Sequence, residues 1–500
     1  MGGTDIDSGS TYLNNLAKAV DDGELKVEYA KLGLKNSYKM RMMMGLFDPA
    51  TDNQYKHIET AEVGSAESQA KSLLGAEKGM VLLKQGPLPF KKGKSVAVIG
   101  QAVSNTGDMT GNYDGPLCTN GGSSCFPNIG QAVTSANAGG TTTVLASTDP
   151  AKARAAAAAA DQVILVVDNA KDGGGEGKDR TTIGLSADQI ALATAVIAAN
   201  KNTVLVLING GMISIDGLVE TAPAILEAFM PGVHGGTAIA STIFGENNPG
   251  GKLPVTMYHS SYVNESKFLS MDMNEGPGRS YKYFTGTPLY SFGFGLSYTT
   301  FSMQWPTPPP AVTVSTTSAP AVTYNVTVTN TGEVTGDEVV LAFTKPTHTA
   351  ALARSVGGAP VEIKRLFGFK RVTLAPRVRH FLARVSPGLT ALRWVCAGHT
   401  KAQGCCLLLS ALEFGRDRAD LTFFTAIPHL FSGLDHGVVR PHARAPRPRR
   451  RRGPHGAPPG GLRGGVLARA RRRARRPGQG CPGNRAARDH QAAPQVVVAA

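Results

Sequence analysis

The sequence predicts an α/β protein: a parallel-sheet α/β sandwich domain, followed by part of a smaller antiparallel β-sandwich. Three observations predict it. Four short, unbroken apolar runs, SVAVIG (95–100), QVILVVD (162–168), TVLVLIN (203–209) and AILEAFM (224–230), alternate with segments of helical character. Such runs suit parallel strands buried on both faces, and strands alternating with helices build layered α/β domains. From residue 324 the pattern changes to apolar–polar alternation with turn signals at Asn330, Gly332 and Gly336 (YNVTVTNTGEVTGDEVVLAFTKP, 324–346), as expected of a half-buried hairpin of sandwich type. Beyond Pro376 the composition shifts and this alternation stops.

In chain order, residues 17–50 carry apolar and charged residues at helical spacing, with stop signals at Gly45 and Pro49. A second helix is expected over AESQAKSLLGAEKGMVLLK (66–84). Between the four strands, helices are expected over 151–161, 185–200 and 235–245. The middle one opens on Ser186 with Gln189 three residues later, the signature of a capping box. After Asn248 the chain becomes loop-rich up to YSFGFGLSYTTF (290–301), and a proline- and threonine-rich linker follows (306–321). VEIKRLFGFKRVTLAP (361–376) supplies one or two further strands, so the small sandwich reads as incomplete.

A length of 500 residues allows several domains with sizeable cores. The net charge of +15 invites a nucleic-acid partner until it is located. Of the 52 Lys+Arg and 37 Asp+Glu, 23 and 5 lie from Arg377 onward, leaving 29 basic and 32 acidic residues before it. The basicity belongs to the last quarter, where Arg replaces Lys almost completely; residues 441–480 hold 13 Arg and no acid. This stretch has no periodicity and is expected to be disordered. One reading is an arm that binds RNA or another anionic surface through charge. The other, favoured by the abrupt Lys-to-Arg reversal, is translation of GC-rich sequence out of frame or through an intron.

Cys118 and Cys125 share a turn-rich loop, GPLCTNGGSSCFP, in which a short disulfide is feasible; the other four cysteines lie in the tail. No Cys/His cluster has zinc spacing. Asn264 and Asn325 head N-glycosylation acceptor triplets. No apolar stretch reaches transmembrane length, and no hydrophobic signal core opens the chain.

The stretch with the most chemistry is KDGGGEGKDR (171–180), at the exit of the strand 162–168. A phosphate cradle is one reading. It needs a tight turn into a helix N-terminus, whereas GGGEGKDR places two acidic residues in the loop and the capped helix starts only near Ser186. A second reading is acid catalysis: Glu176, flanked by glycines, could enter a cleft where enclosure disfavours its charge, with Asp179 and Arg180 pairing to pin the loop. The plain alternative is a solvated loop glutamate.

From its first residues to about Pro376 the chain resembles glycoside hydrolase family 3, in its β-xylosidase branch. GTDIDSGSTYL and RMMMGLFD resemble the end of that family's (β/α)8 barrel domain. ESQAKSLLGAEKGMVLLKQGPLPF, KSVAVIG and MTGNYDGPLC resemble the entry to its α/β sandwich domain. GGEGKDRTTIGLSADQ resembles its acid/base loop, and FGENNPGGKLPVTMY with YSFGFGLSYTTF its closing segments. TYNVTVTNTGEVTGDEVV and RLFGFKRVTLAP resemble its fibronectin type III-like domain.

The resemblance implies a barrel remnant over 1–62, the α/β sandwich domain over 63–258, a closing segment and linker over 259–321, an incomplete fibronectin type III-like domain over 322–376, and an anomalous tail over 377–500. It implies retaining hydrolysis of terminal β-linked xylose or glucose, with two carboxylates about 5–5.5 Å apart. Glu176, three residues before Asp179-Arg180, then holds the place of the general acid/base. The family's nucleophilic aspartate lies upstream of the matched segment; Asp5 and Asp7 match no motif for that role, so the chain alone is expected to be inactive. The implied partner is an oligosaccharide or polysaccharide of plant or algal walls, outside the cell, with no nucleic acid or membrane and no metal or organic cofactor. A non-catalytic carbohydrate-binding module built from the same domains is the alternative. The sequence carries no signal for oligomeric state.

Overall fold

The computed structural model describes residues 4–52, 54–59, 62–111, 115, 117–118, 125–169, 177, 179–305, 324–346, 360–385 and 496–499. They belong to one compact unit; a second, 403–491, lies outside the described residues, as do the linker 306–321 and the Arg-rich stretch 441–480.

Two helices open the chain, α1 (Thr11–Asp21) and α2 (Val27–Met43). Side-chain hydrogen bonds close within this segment, from Asn36 to Asp5 and from Lys56 to the carbonyl oxygens of Leu46 and Asp48. Its apolar residues are largely exposed: Leu13 at 86%, Met44 at 59% and Phe47 at 57%.

The α/β domain follows. Its helices are α3 (Ala66–Gly79), α4 (Ile129–Ala136), α5 (Pro150–Ala158), α6 (Ala187–Ala199), α7 (Leu218–Thr221) and α8 (Gly235–Ile243). Its strands are β1 (Val81–Lys84), β2 (Ser95–Ile99), β3 (Thr141–Leu145), β4 (Gln162–Asp168), β5 (Thr203–Ile208) and β6 (Ala224–Phe229). They form one sheet in the order β1-β6-β5-β4-β2-β3, parallel except for β1. The unbroken apolar runs have the expected cause. Val96, Val98, Ile164 and Val166 face one core, and Ala97, Ile99, Leu165 and Val167 the other, so consecutive residues are all buried.

Two edge strands depart from the sequence reading. The expected helix 66–84 stops at Gly79. Met80 turns extended (φ −63°, ψ 127°), and Val81–Leu83 are buried in β1, where Val81 and Leu82 face Glu227 and Leu226. Burial on the sheet there overrides helical continuation. β3, TTTVL, goes unread because one side of an edge strand faces water and its sequence is mostly threonine. The capping box at the start of α6 is only half made. Ser186 Oγ accepts from the Gln189 N–H at 3.4 Å, but the Gln189 side chain donates to the Asp168 carbonyl at 2.7 Å instead of returning to the cap. A complete box caps α4, between Asn128 and Gln131.

Two three-stranded sheets complete the unit. One holds β7 (Phe301–Gln304), β8 (Tyr324–Asn330) and β11 (Arg379–Val385); the other holds β9 (Gly336–Lys345), β10 (Arg365–Leu374) and β12 (Val496–Ala499). Val326 and Val328 of the first pack with Val340 and Leu374 of the second in one core, which makes the pair a β-sandwich. The strand pattern therefore does not end at Pro376. β11 pairs antiparallel with the free edge of β8, and β12 lies parallel to β9, because ladder pairing asks for an open edge rather than for a particular composition.

Candidate active site

In the order β3-β2-β4-β5-β6, the chain leaves β2 in one direction to form β3 and in the other to form β4. A crevice is expected beyond the carboxyl ends of strands at such a switch point. Two loops leave the sheet there. After β2 comes Gly100 and the segment that holds the Cys118–Cys125 disulfide. After β4, where Asp168 and Asn169 are buried, comes KDGGGEGKDR.

Glu176 lies outside the described residues, as do the other members of 170–178 except Gly177, whose φ of +73° is of the left-handed kind that glycine tolerates. Asp179 is exposed and Arg180 half-buried. The expected pairing of these two is not made: among the described residues no ion pair joins them. Arg180 Nη2 instead donates to the Met212 carbonyl at 2.9 Å. Among the described residues its buried Nη1 has no hydrogen-bond partner, a charged donor left at the exit of the loop.

The segment 179–184 docks along the residues that follow β5. Beside the Arg180 bond, the Ser214 N–H donates to the Ile183 carbonyl at 2.6 Å, and Gly184 and Ser214 form a parallel bridge. Ile213 and Ile215, fully buried, root this platform in the core. Beyond it Asp216 accepts from the Ser260 N–H at 2.7 Å, from Ser260 Oγ at 2.5 Å and from His259 Nδ1 at 2.7 Å. Partial burial pushes its carboxyl up, but the Ser260 and His259 hydrogen bonds outweigh this and hold it below the usual range.

A carboxyl group that reading the sequence alone passes over sits beneath the platform. Glu227, in β6, is 1% exposed. Its Oε1 accepts from Asn209 Nδ2 and from the Phe229 N–H, both at 2.8 Å. Burial drives its pKa up to about 8 against the lowering effect of those two bonds, so the group is neutral at neutral pH. The signal for it was in AILEAFM, an acid in the middle of an otherwise apolar strand. Neither Asp5 nor Asp7 belongs to this region: Asp5 accepts from Asn36 and Asp7 from the Tyr12 and Gly9 N–H groups. Among the described residues no helix is long and apolar enough to cross a membrane, and no cluster of three or more His, Cys, Asp or Glu has the grouping of a metal site.

Residues 80–298 match the glycosyl hydrolase family 3 C-terminal domain. A probable exo-1,4-beta-xylosidase of Aspergillus fumigatus is 32% identical over 396 residues, covering 74% of this chain and 49% of the relative. A beta-xylosidase of Formosa agariphila is 33% identical over 396 residues, covering 75% and 52%. Among solved structures, a GH3 exo-beta-xylosidase (XlnD) in complex with a xylobiose aziridine activity-based probe superposes with a TM-score of 0.65 at 26% identity, covering 77% of this chain and 52% of that one. A Listeria innocua beta-glucosidase in complex with glucose shares the fold, with a TM-score of 0.62 at 22% identity, covering 77% of this chain and 53% of that one. The chain spans about half the length of the curated relatives it matches. The doubly wound sheet and the domain match lead to one conclusion: through its C-terminal domain, carried on residues 80–298, the chain belongs to glycosyl hydrolase family 3.

Proposed function

We propose that this chain supplies the acid/base half of an exo-acting, retaining β-glycosidase that releases terminal β-linked xylose. Glu176 is the general acid/base. As a carboxylic acid it gives its proton to the glycosidic oxygen while that bond breaks; as a carboxylate it then takes a proton from the water that releases the sugar. Arg180 and Asp179 support the loop. In this reading no carboxylate among the described residues takes the nucleophile's role, and the 500-residue chain assayed alone is expected to show no turnover of an aryl β-xyloside.

The observation that supports this reading is the docking of 179–184 on 212–214, which anchors the end of the Glu176 loop beside the carboxyl end of β5. Relatives named as xylosidases favour xylose, and the glucosidases among structures of the same fold make glucose the next sugar to test. In this reading the helices of 4–59 are the end of a barrel whose apolar surface they present, and the two small sheets are a fibronectin type III-like domain. The Cys118–Cys125 disulfide supports action outside the cell, on wall polysaccharide.

The test is a chimera in which residues 63–385 replace the matching part of the Aspergillus relative. It should hydrolyse aryl β-xylosides. Glu176→Gln should slow substrates with poor leaving groups by about 10²–10⁴-fold and spare activated ones. Equal rates for Glu and Gln with a poor leaving group would remove Glu176 from the reaction.

A further inference from the structure

The platform that carries the acid/base loop is itself held by groups with no role in proton transfer. In the β5–β6 pairing Leu207 faces Glu227, but Ile208 faces Phe229; Ala228 is the extra residue of a bulge. Bulges of this kind re-aim the chain at sheet ends and beside active sites. Phe229 then sits at φ 53°, in the left-handed region that a bulky side chain seldom adopts. The Glu227 carboxyl takes up the Phe229 N–H, and the Asn209 N–H closes the turn on the Phe229 carbonyl at 3.1 Å. The same carboxyl oxygen binds the Asn209 side chain. Asn209 is the first residue after β5, and three residues on is Met212, the acceptor of Arg180. The redirected chain also lays Met230 on Gly210, where a Cβ would meet Met230 Cε at 2.6 Å.

We propose that Glu227 and Asn209 are positioning residues for the acid/base loop: they set the height of residues 209–214, and through Met212 and Ser214 the course of 179–184. This rests on the reading of the 171–178 loop given above, but its core claim is mechanical. A buried carboxyl accepting two hydrogen bonds, a strained bulge and a loop docked on the next residues form one continuous linkage from β6 to the exit of the Glu176 loop. Accepting is all the linkage asks of residue 227, so glutamine, which keeps Oε1, should serve as well as glutamate.

Hydrogen exchange on the full chain tests this, comparing segments 179–184 and 209–214 with β4 (162–168) as the internal reference. Glu227→Leu should speed exchange in both segments by at least about tenfold and leave β4 unchanged, while Glu227→Gln should exchange as the wild type does. Asn209→Ala removes the same link without disturbing the Phe229 bond; it should loosen the two segments likewise and remains informative if Glu227→Leu does not fold. Wild-type exchange in 179–184 for Asn209→Ala, or a rise shared equally by β4, would overturn the proposal. So would a Gln variant that loosens the loop as Leu does. Because the readout is docking and not turnover, it can fail while Glu176→Gln still abolishes acid catalysis, and the reverse.

Discussion

Lys78 Nζ and Asp337 Oδ2 lie 2.5 Å apart and join the last turn of α3 to β9 of the small sandwich. The carboxylate is buried and also accepts from Arg371 Nη1 at 3.0 Å and from Thr373 Oγ1 at 2.6 Å. Next to it Glu338 pairs with Lys252 at 2.9 Å, so two consecutive acids latch the β-sandwich to the α/β domain. Removing Asp337 strands two cations, although Lys78 can turn towards water. Asp337→Ala should therefore lower the free energy of unfolding by about 2–3 kcal/mol, short of the cost at a fully enclosed pair, as read by urea denaturation.

The pH dependence of that latch has a definite sign. Burial raises the Asp337 carboxyl, but the bonds from Lys78, Thr373 and Arg371 prevail and hold it below 3.8. A depressed acid stabilises above its unfolded pKa and loses that contribution as pH falls through the folded one. The stability gap between wild type and Asp337→Asn should be constant above about pH 5 and close as the pH drops below 3.8.

Glu227 behaves in the opposite sense. Its pKa is raised from 4.5 to about 8, so its contribution is fully present below 4.5 and lost as pH rises through 8. The melting temperature of the wild type should fall, relative to Glu227→Gln, steadily across this window. A difference that does not change between pH 4.5 and 8 would mean that the carboxyl ionises as an exposed one does.

Arg180→Ala leaves the Met212 carbonyl without its donor. Stability should drop by about 1–2 kcal/mol. In the chimera kcat should fall more than KM rises, because the loop and not the sugar loses its anchor. Arg180→Lys should restore little, since a single ammonium cannot reproduce the planar donor fork.

Gly100, at the end of β2, has φ +135° and lies against β4; a Cβ there would be 2.1 Å from the Val166 carbonyl oxygen. Two backbones cannot part without breaking the sheet at its switch point. Gly100→Ala should cost at least about 3 kcal/mol and show as loss of soluble protein at 37 °C.

The four buried strands are legible because a strand covered on both faces must be apolar at every position, and 162–168 reads so without its neighbours. β1 and β3 are not legible. Val81–Leu83 continue a helical pattern until β6 offers them a partner, and the threonines of β3 make an edge that only β2 defines. The N-terminal helices leave Leu13 and Phe47 exposed, since amphipathic spacing says that a face is apolar and not what covers it.

The same division holds at the site. By itself the sequence determined that a glycine-rich, charged loop leaves a buried strand, with Glu176 three residues before Asp179-Arg180, because strand burial and loop composition are local properties. Only the tertiary structure decided where Arg180 goes: to the Met212 carbonyl and not to Asp179. It alone decided that Glu227, an anomaly in an apolar run, is held neutral beneath that platform by Asn209 and Phe229. The physical reason is that hydrogen-bond partners and desolvation belong to neighbours across the sheet, and the pairing of β5 with β6 brings together residues 18 positions apart in the chain.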